Sequence, residues 1–369
     1  MWIIWKEEFY KIASRKIVWL GVFLLLAFVS FRLFSEQNTY TTTVGGETFW
    51  GAEAIKKDQD LTKRYAGTLT LDKIRRIYEE YGFYYYDEYK KINMGNFCNR
   101  FITMEFTNYR WSDSDDPKEI RFLEGTEWEN NVKPYLEQET RLDYVYGFSD
   151  LAEIYMLTLT VLAFLLIIGL SPIFAEEYQL RTADILRSTR RGKQGGIWMK
   201  ILAALFFAVC LFFAVSAYLW GIYLSVYGTQ GLDASAVLIS FVSFYGYSPK
   251  TVAGFFVFIT FLGLVSTILL TGLVSGISAL CKSPFLALIL SAALYLFPVI
   301  WVKALGPMQI LGRTLTRLVN HAMAAMPVYL PMSTGFSFSA KQTAWHVGIA
   351  LAGGIGGMLL GYHSYRNSQ

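Results

Sequence analysis

The sequence is poor in side chains that do covalent or metal chemistry. It has only three histidines (His321, His346 and His363) and three scattered cysteines (Cys98, Cys210 and Cys281). Two of the cysteines lie in or beside apolar runs, so neither a disulfide framework nor a metal site is indicated. No H-E-x-x-H and no G-x-S-x-G occurs, which removes the ligand set of a membrane metalloprotease and the nucleophile of a serine hydrolase. No G-x-x-x-x-G-K-[ST] occurs either, so the chain has no phosphate-cradling loop for ATP. The long apolar runs lack Asp, Glu, Lys or Arg at mid-depth, the groups that ion-coupled carriers and proton pumps need there. The chain is therefore read as a non-enzyme with no catalytic residue, no metal and no cofactor of its own.

What the sequence has in abundance is apolar surface. Of 369 residues, 54% are hydrophobic and 17% charged, and the mean hydropathy is +0.34. That is too apolar for a soluble domain and reads as an all-α polytopic membrane protein. The net charge of +4 conceals a split: residues 36–150 carry 22 acidic and 15 basic side chains, and the remainder 18 basic and 7 acidic. The positive charges sit beside apolar runs, so the membrane explains them and nucleic acid does not.

Taken in order, residues 1–16 interleave Trp2, Ile3, Trp5, Phe9, Tyr10 and Ile12 with charges. This is the pattern of a cytoplasmic helix lying in the interface plane. Six transmembrane spans are expected at 17–34, 150–170, 201–226, 251–280, 285–302 and 343–362, each on the order of 20 apolar residues. The roughly 115-residue segment 35–149 is expected to be an extracytoplasmic domain, α/β or mostly α. Within it, Ala52–Ala66 and Leu71–Tyr81 read as helices, the second capped by Thr70 and ended by Gly82. The aromatic-rich stretch Phe97–Trp111 reads as strand. The aromatics of this domain suit its core and the headgroup boundary, and a substrate path is the other use open to them. The acidic cluster Asp113, Asp115 and Asp116 lacks EF-hand spacing and reads as a solvated loop. Residues 228–250 are too short to cross and are taken as interfacial or re-entrant. Residues 303–341 are placed on the extracytoplasmic side, although Arg313, Arg317 and His321 there run against the positive-inside tendency. Such a loop suits anionic headgroups or an anionic substrate.

Residues 171–200 stand apart. Arg181, Arg187, Arg190, Arg191, Lys193 and Lys200 mark this segment as cytoplasmic. Ile173, Phe174, Glu177, Leu180, Asp184 and Arg187 fall at helical spacing, with apolar groups on one side and charge on the other. A positive-inside loop with no further role and an ordered coupling element both fit this pattern. The succession Phe174, Glu176, Glu177, Ile185, Leu186, Ser188, Thr189, Arg190, Arg191, Lys200 resembles the coupling segment of type-2 ABC exporter permeases. Where that family usually has Gly-Thr this chain has Arg181-Thr182, and Thr189 stands at a frequent proline. The resemblance implies that Phe174, Glu176, Glu177, Arg187, Arg190 and Arg191 couple the spans to a separate ABC ATP-binding subunit, which would hold ATP and magnesium. It further implies a second permease copy or a sister permease, with the seam at the first and fifth spans. It also implies a loop before the last span that dips into the membrane. The four basic residues before the first span place the N-terminus in the cytoplasm, and six spans return the C-terminus there, for a multi-pass location in the plasma membrane with both termini cytoplasmic.

Two glycine ladders, Gly353-Gly357-Gly361 and Gly272-Gly276, allow close helix approach, within one subunit or across a dimer. The expected function is the permease subunit of an ATP-driven exporter of an amphipathic substrate such as a peptide, lipid or drug-like molecule. The alternative is a membrane-anchored sensor or scaffold whose 35–149 domain binds a ligand without transport. The partners expected are the ATPase, another permease and membrane lipids, with no nucleic acid.

Overall fold

A computed structural model describes residues 1–111, 118–189, 195–239, 242–308 and 311–367. Among these, six helices are long and apolar enough to cross a membrane: α2 (Lys16–Thr39), α8 (Tyr146–Leu170), α11 (Ile197–Tyr227), α12 (Val252–Leu280), α13 (Pro284–Ile300) and α15 (Ala340–Asn367). The chain is an all-α polytopic membrane protein. The spans start and stop where glycine, proline or a polar cap interrupts the apolar pattern. Thr251 Oγ1 accepts from Gly254 N at 3.1 Å to open α12, Pro284 occupies the first turn of α13, and Gly228 at φ +70° ends α11. These are the ordinary start and stop chemistries of helices.

Helix α12 forms the centre. It is buried along most of its length and packs against α8, α11, α13 and α15. Its seam with α15 is made by glycines. A methyl group added at Gly272 would strike the Gly354 backbone, and one added at Gly357 would strike the Gly272 carbonyl. Gly276 lies against the Gly357 carbonyl, Gly361 against Ser275, and Gly353 against the Leu269 side chain. In a bilayer, where lipid is as apolar as leucine, such close approach supplies the packing attraction between helices. Helices α2 and α13 lie at the periphery and leave apolar side chains such as Phe23, Phe31, Phe285 and Ile289 exposed.

The region between α2 and α8 is mostly α. It comprises α3 (Gly51–Tyr65), α4 (Leu71–Tyr81), α5 (Phe97–Phe106), α6 (Gly125–Asn131) and α7 (Lys133–Glu137), with three two-stranded antiparallel ribbons. The ribbons pair β1 (Thr41–Val44) with β2 (Glu47–Trp50), β3 (Gly67–Thr68) with β6 (Arg141–Leu142), and β4 (Tyr85–Asp87) with β5 (Ile92–Met94). The predicted helix 71–81 stands as read, with Thr70 Oγ1 accepting from Lys73 N at 3.2 Å. The strand expected over 97–111 is instead α5 followed by a 3-10 turn. A reciprocal Asn96–Asn99 capping box opens this helix and overrides the aromatic and β-branched content. Asp113, Asp115 and Asp116 lie outside the described residues.

Buried Asp58 ties this region together. Its carboxylate accepts from Tyr40 Oη at 2.5 Å, Thr42 Oγ1 at 2.7 Å and Phe97 N at 3.1 Å. Burial pushes its carboxyl above the usual range, against the pull of these donors and of Arg100. The region sits on the bundle through residues 228–239. Ser235 N donates to the Arg141 carbonyl at 3.0 Å, and Gln230 Nε2 donates to the Gln59 carbonyl at 3.0 Å and to Asp143 at 2.9 Å.

Between α13 and α15 the chain makes a π turn (Trp301–Leu305), α14 (Gly312–Ala324) and a 3-10 turn (Leu330–Gly335). This segment dips into the bundle. The Pro327 carbonyl accepts from Ser266 Oγ at 2.6 Å, and Ser266 lies near the middle of α12. His321 Nδ1 and His346 Nε2 lie 3.1 Å apart, fixing α14 to α15.

Candidate functional site

A cluster of polar side chains lies where α8 ends. Here α1 (Trp2–Ala13), α9 (Pro172–Gln179), α10 (Ala183–Ser188), the start of α11 and the end of α15 converge. The chain bends rather than forming one long helix. Arg181 adopts φ +56°, a left-handed conformation that ends α9. The helical spacing from Ile173 to Arg187 is therefore split in two. Ile173 and Phe174 face inward, whereas Leu180, Ile185 and Leu186 are exposed.

The bend is anchored from α12. Ser278 Oγ donates to the Ser171 carbonyl at 2.6 Å and accepts from Phe174 N at 3.0 Å and Ala175 N at 3.2 Å. The first turn of a helix has N–H groups with no partner of their own, and here a hydroxyl from a neighbouring span satisfies that of Phe174 and gives Ala175 N a further acceptor. Pro172, which has no N–H, occupies the first position.

Beneath this anchor is a buried electrostatic clasp. Glu177 on α9 is ion-paired with Lys200 on α11 and accepts from Tyr365 Oη on α15. Lys200 Nζ also lies 3.4 Å from Glu8 Oε2 on α1, and Glu8 holds Lys11 at 2.9 Å. Two carboxylates thus share the one buried ammonium of Lys200, with the exposed Lys11 beside Glu8 as the second cation, and buried charges are tolerated only when matched in this way. The carboxylates hold the Lys11 ammonium above its ordinary range despite the opposing effect of partial burial. The ring of Phe174, fully buried, packs 4.9 Å from that of Tyr365 and 5.9 Å from Lys200 Nζ.

Outside the clasp runs a cleft of about 720 Å³, bordered by Lys11, Arg15, Glu176, Leu180, Ile185 and Leu186 among others. Arg15 bridges it, holding Glu176 at 2.7 Å. Helix α1 is fixed alongside by Trp5 and Phe9, whose rings meet Phe206 of α11 at 5.4 and 5.7 Å.

Of the residues singled out in the sequence, Phe174 and Glu177 are interior and Glu176 is at the surface. The backbone of Arg187 lies on α10. Arg190 and Arg191 lie outside the described residues. Sequence reasoning did not single out Ser278, Tyr365, Glu8 or Arg15. A lone serine near the end of an apolar helix carries no pattern, and Glu8 and Tyr365 are brought together from opposite ends of the chain. Among the described residues no group of three or more His, Cys, Asp or Glu is placed to hold a metal. The arrangement is suited to joining helices and presenting a surface. Comparison of the chain with known protein families, curated proteins and solved structures finds no match.

Proposed function

We propose that this chain is the permease subunit of an ATP-driven exporter of the type-2 ABC kind, powered by a separate ATPase that carries the ATP and magnesium. One observation carries the reading. The bent α9–α10 segment is braced from inside by the Ser278 anchor and the Glu177–Lys200–Tyr365 clasp, while its outer side presents Leu180, Ile185 and Leu186 exposed at 64%, 68% and 38% beside the cleft. A rigid support under an apolar, charge-rimmed surface is the form of a docking platform. Because the clasp touches α1, α9, α11 and α15, force applied to the platform reaches several spans together. Glu176 and the basic residues Arg187, Arg190 and Arg191 would meet the ATPase, and Phe174 and Glu177 would transmit its motion.

In this reading the platform and both termini are cytoplasmic, the protein resides in the plasma membrane, and the Asp58-centred region is extracytoplasmic. The exposed apolar faces of α2 and α13 suit a seam with a second copy or a sister permease. The substrate would be amphipathic and leave between the two permeases.

The test is purification of the full chain from its native membrane in mild detergent, with identification of what co-purifies. A P-loop ATPase in stoichiometric amount, lost on reversing the charges of Arg190 and Arg191, is the expected result. A chain that comes down without an ATPase, yet binds a ligand through residues 35–149, overturns the proposal in favour of a sensor or scaffold.

A further inference from the structure

No aspartate or glutamate follows Asp233 in this chain, yet seven lysines and arginines do: Lys250, Lys282, Lys303, Arg313, Arg317, Lys341 and Arg366. Two of them, Arg313 and Arg317, lie on α14. Leu311, immediately before it, and Leu315 and Leu318 on it form one stripe, and all three are exposed, at 43%, 48% and 62%. Arg313, Arg317, Asn320 and Ala324 form the opposite stripe at spacings of four, three and four residues, and the last two of these line a cavity. The helix buries Thr316 and Ala324 and leaves leucines exposed on one side and arginines on the other, which suits a position between an apolar surrounding and a polar one.

The depth of each residue follows from its contacts. His321 meets His346, six residues into α15 and so about 9 Å along it at 1.5 Å per residue. Further on, Pro327 meets the middle of α12. The arginines therefore lie toward the membrane surface and the cavity lies deeper. Both arginine side chains are exposed and, among the described residues, neither makes an ion pair with an acidic group. The cavity measures about 430 Å³ and is lined by Val302, Pro307, Tyr329, Phe336 and Phe338 besides Asn320 and Ala324. That size falls within the range of sites that enclose a small ligand.

We propose that α14 and this cavity form a binding site for a single anionic glycerophospholipid. Its phosphodiester is held by Arg313 and Arg317, and part of one acyl chain fills the cavity. Charge complementarity selects the headgroup. Guanidinium groups bind phosphate oxygens in a forked geometry, and this part of the chain offers them no carboxylate of its own to bind instead. The aromatic lining selects the apolar tail, and the leucine stripe on the opposite side of α14 sets the helix against the bilayer from which the lipid would enter. The site requires insertion in a membrane but is independent of the exporter reading.

The test uses the full chain in nanodiscs of phosphatidylcholine doped with phosphatidylglycerol, with retained lipid measured by native mass spectrometry. Wild-type protein is expected to retain one phosphatidylglycerol. Each basic residue near an anionic lipid contributes about fivefold in affinity, so Arg313→Gln with Arg317→Gln is expected to weaken retention roughly thirtyfold. Both side chains are exposed, so this variant should fold as wild type. Ala324→Leu, which fills the cavity and leaves the arginines in place, is expected to weaken retention as well. Retention unchanged in the arginine variant overturns the proposal. Retention lost in the arginine variant and unchanged in Ala324→Leu also overturns it, because general surface attraction would then suffice. Displacement of the lipid by inorganic phosphate at equal concentration would show a site for a soluble anion and overturn it too.

Discussion

The hydroxyl of Ser278 on α12 donates to the carbonyl of Ser171 at the end of α8, at 2.6 Å. The same oxygen receives the N–H groups of Phe174 and Ala175, so one side chain serves three backbone groups. Ser278→Ala would take this buried partner from all three. Leaving a buried backbone group unsatisfied costs about 1–3 kcal/mol, so a fall of that order is expected, partly relieved if water enters. Thermal unfolding in detergent measures it. A midpoint equal to wild type would show that the anchor contributes nothing.

Lys200 has a comparable position in the clasp. Lys200→Met would leave Glu177 and Glu8 facing each other with Lys11 as their remaining cation, and breaking a buried pair from one side costs about 3–5 kcal/mol. Combining it with Glu177→Gln removes the orphaned charge and should recover a large part of that loss. Comparing the two variants separates charge imbalance from lost packing. A double variant no better than the single one would mean that packing dominates.

At the α12–α15 seam, Gly272→Ala and Gly357→Ala each place a methyl group against backbone of the facing helix. Overpacking of this kind costs about 1–3 kcal/mol. Gly356 lies on the same helix with open space around it, so Gly356→Ala is expected to be neutral or slightly stabilising. Opposite effects at neighbouring positions, read from the yield of folded protein, distinguish a packing seam from a general intolerance of change.

The region around Asp58 should respond to pH in a definite direction. Burial raises the Asp58 carboxyl above its ordinary value, so the folded form retains a proton that the unfolded chain has already released. Stability contributed at this site is therefore greatest below the unfolded pKa of about 3.9 and declines as pH rises toward the folded value. Asp58→Asn removes the titration, and its unfolding midpoint should vary less across the acid range than that of the wild type. Parallel pH profiles for the two proteins would contradict this.

The spans were legible because hydrocarbon imposes a length and a composition on any helix that crosses it, and the Thr70 cap was legible because capping is local. The other features depended on partners that are distant in sequence. Phe97–Phe106 reads as strand by composition, and the Asn96–Asn99 pair, three residues apart, decides otherwise. Arg181 carries no sign that it will adopt a left-handed turn, since arginine does so only where surrounding contacts impose it. The clasp joins residues 8, 177, 200 and 365, and no stretch of the length of a single span contains more than two of them. Ser278 resembles any small residue in an apolar helix until the open first turn of α9 is placed against it.

Helix α12 holds Pro327 through Ser266 and the α8–α9 bend through Ser278. Those two serines are twelve residues apart, about 18 Å along the axis, and the helix between them contains no proline. A hydrogen-bonded rod of this length transmits an axial push with little loss. Sliding by one turn would therefore release the deep loop and the bend in the same stroke. The deep loop and the α8–α9 bend thus share one rigid element, although each is held to it by its own hydrogen bond.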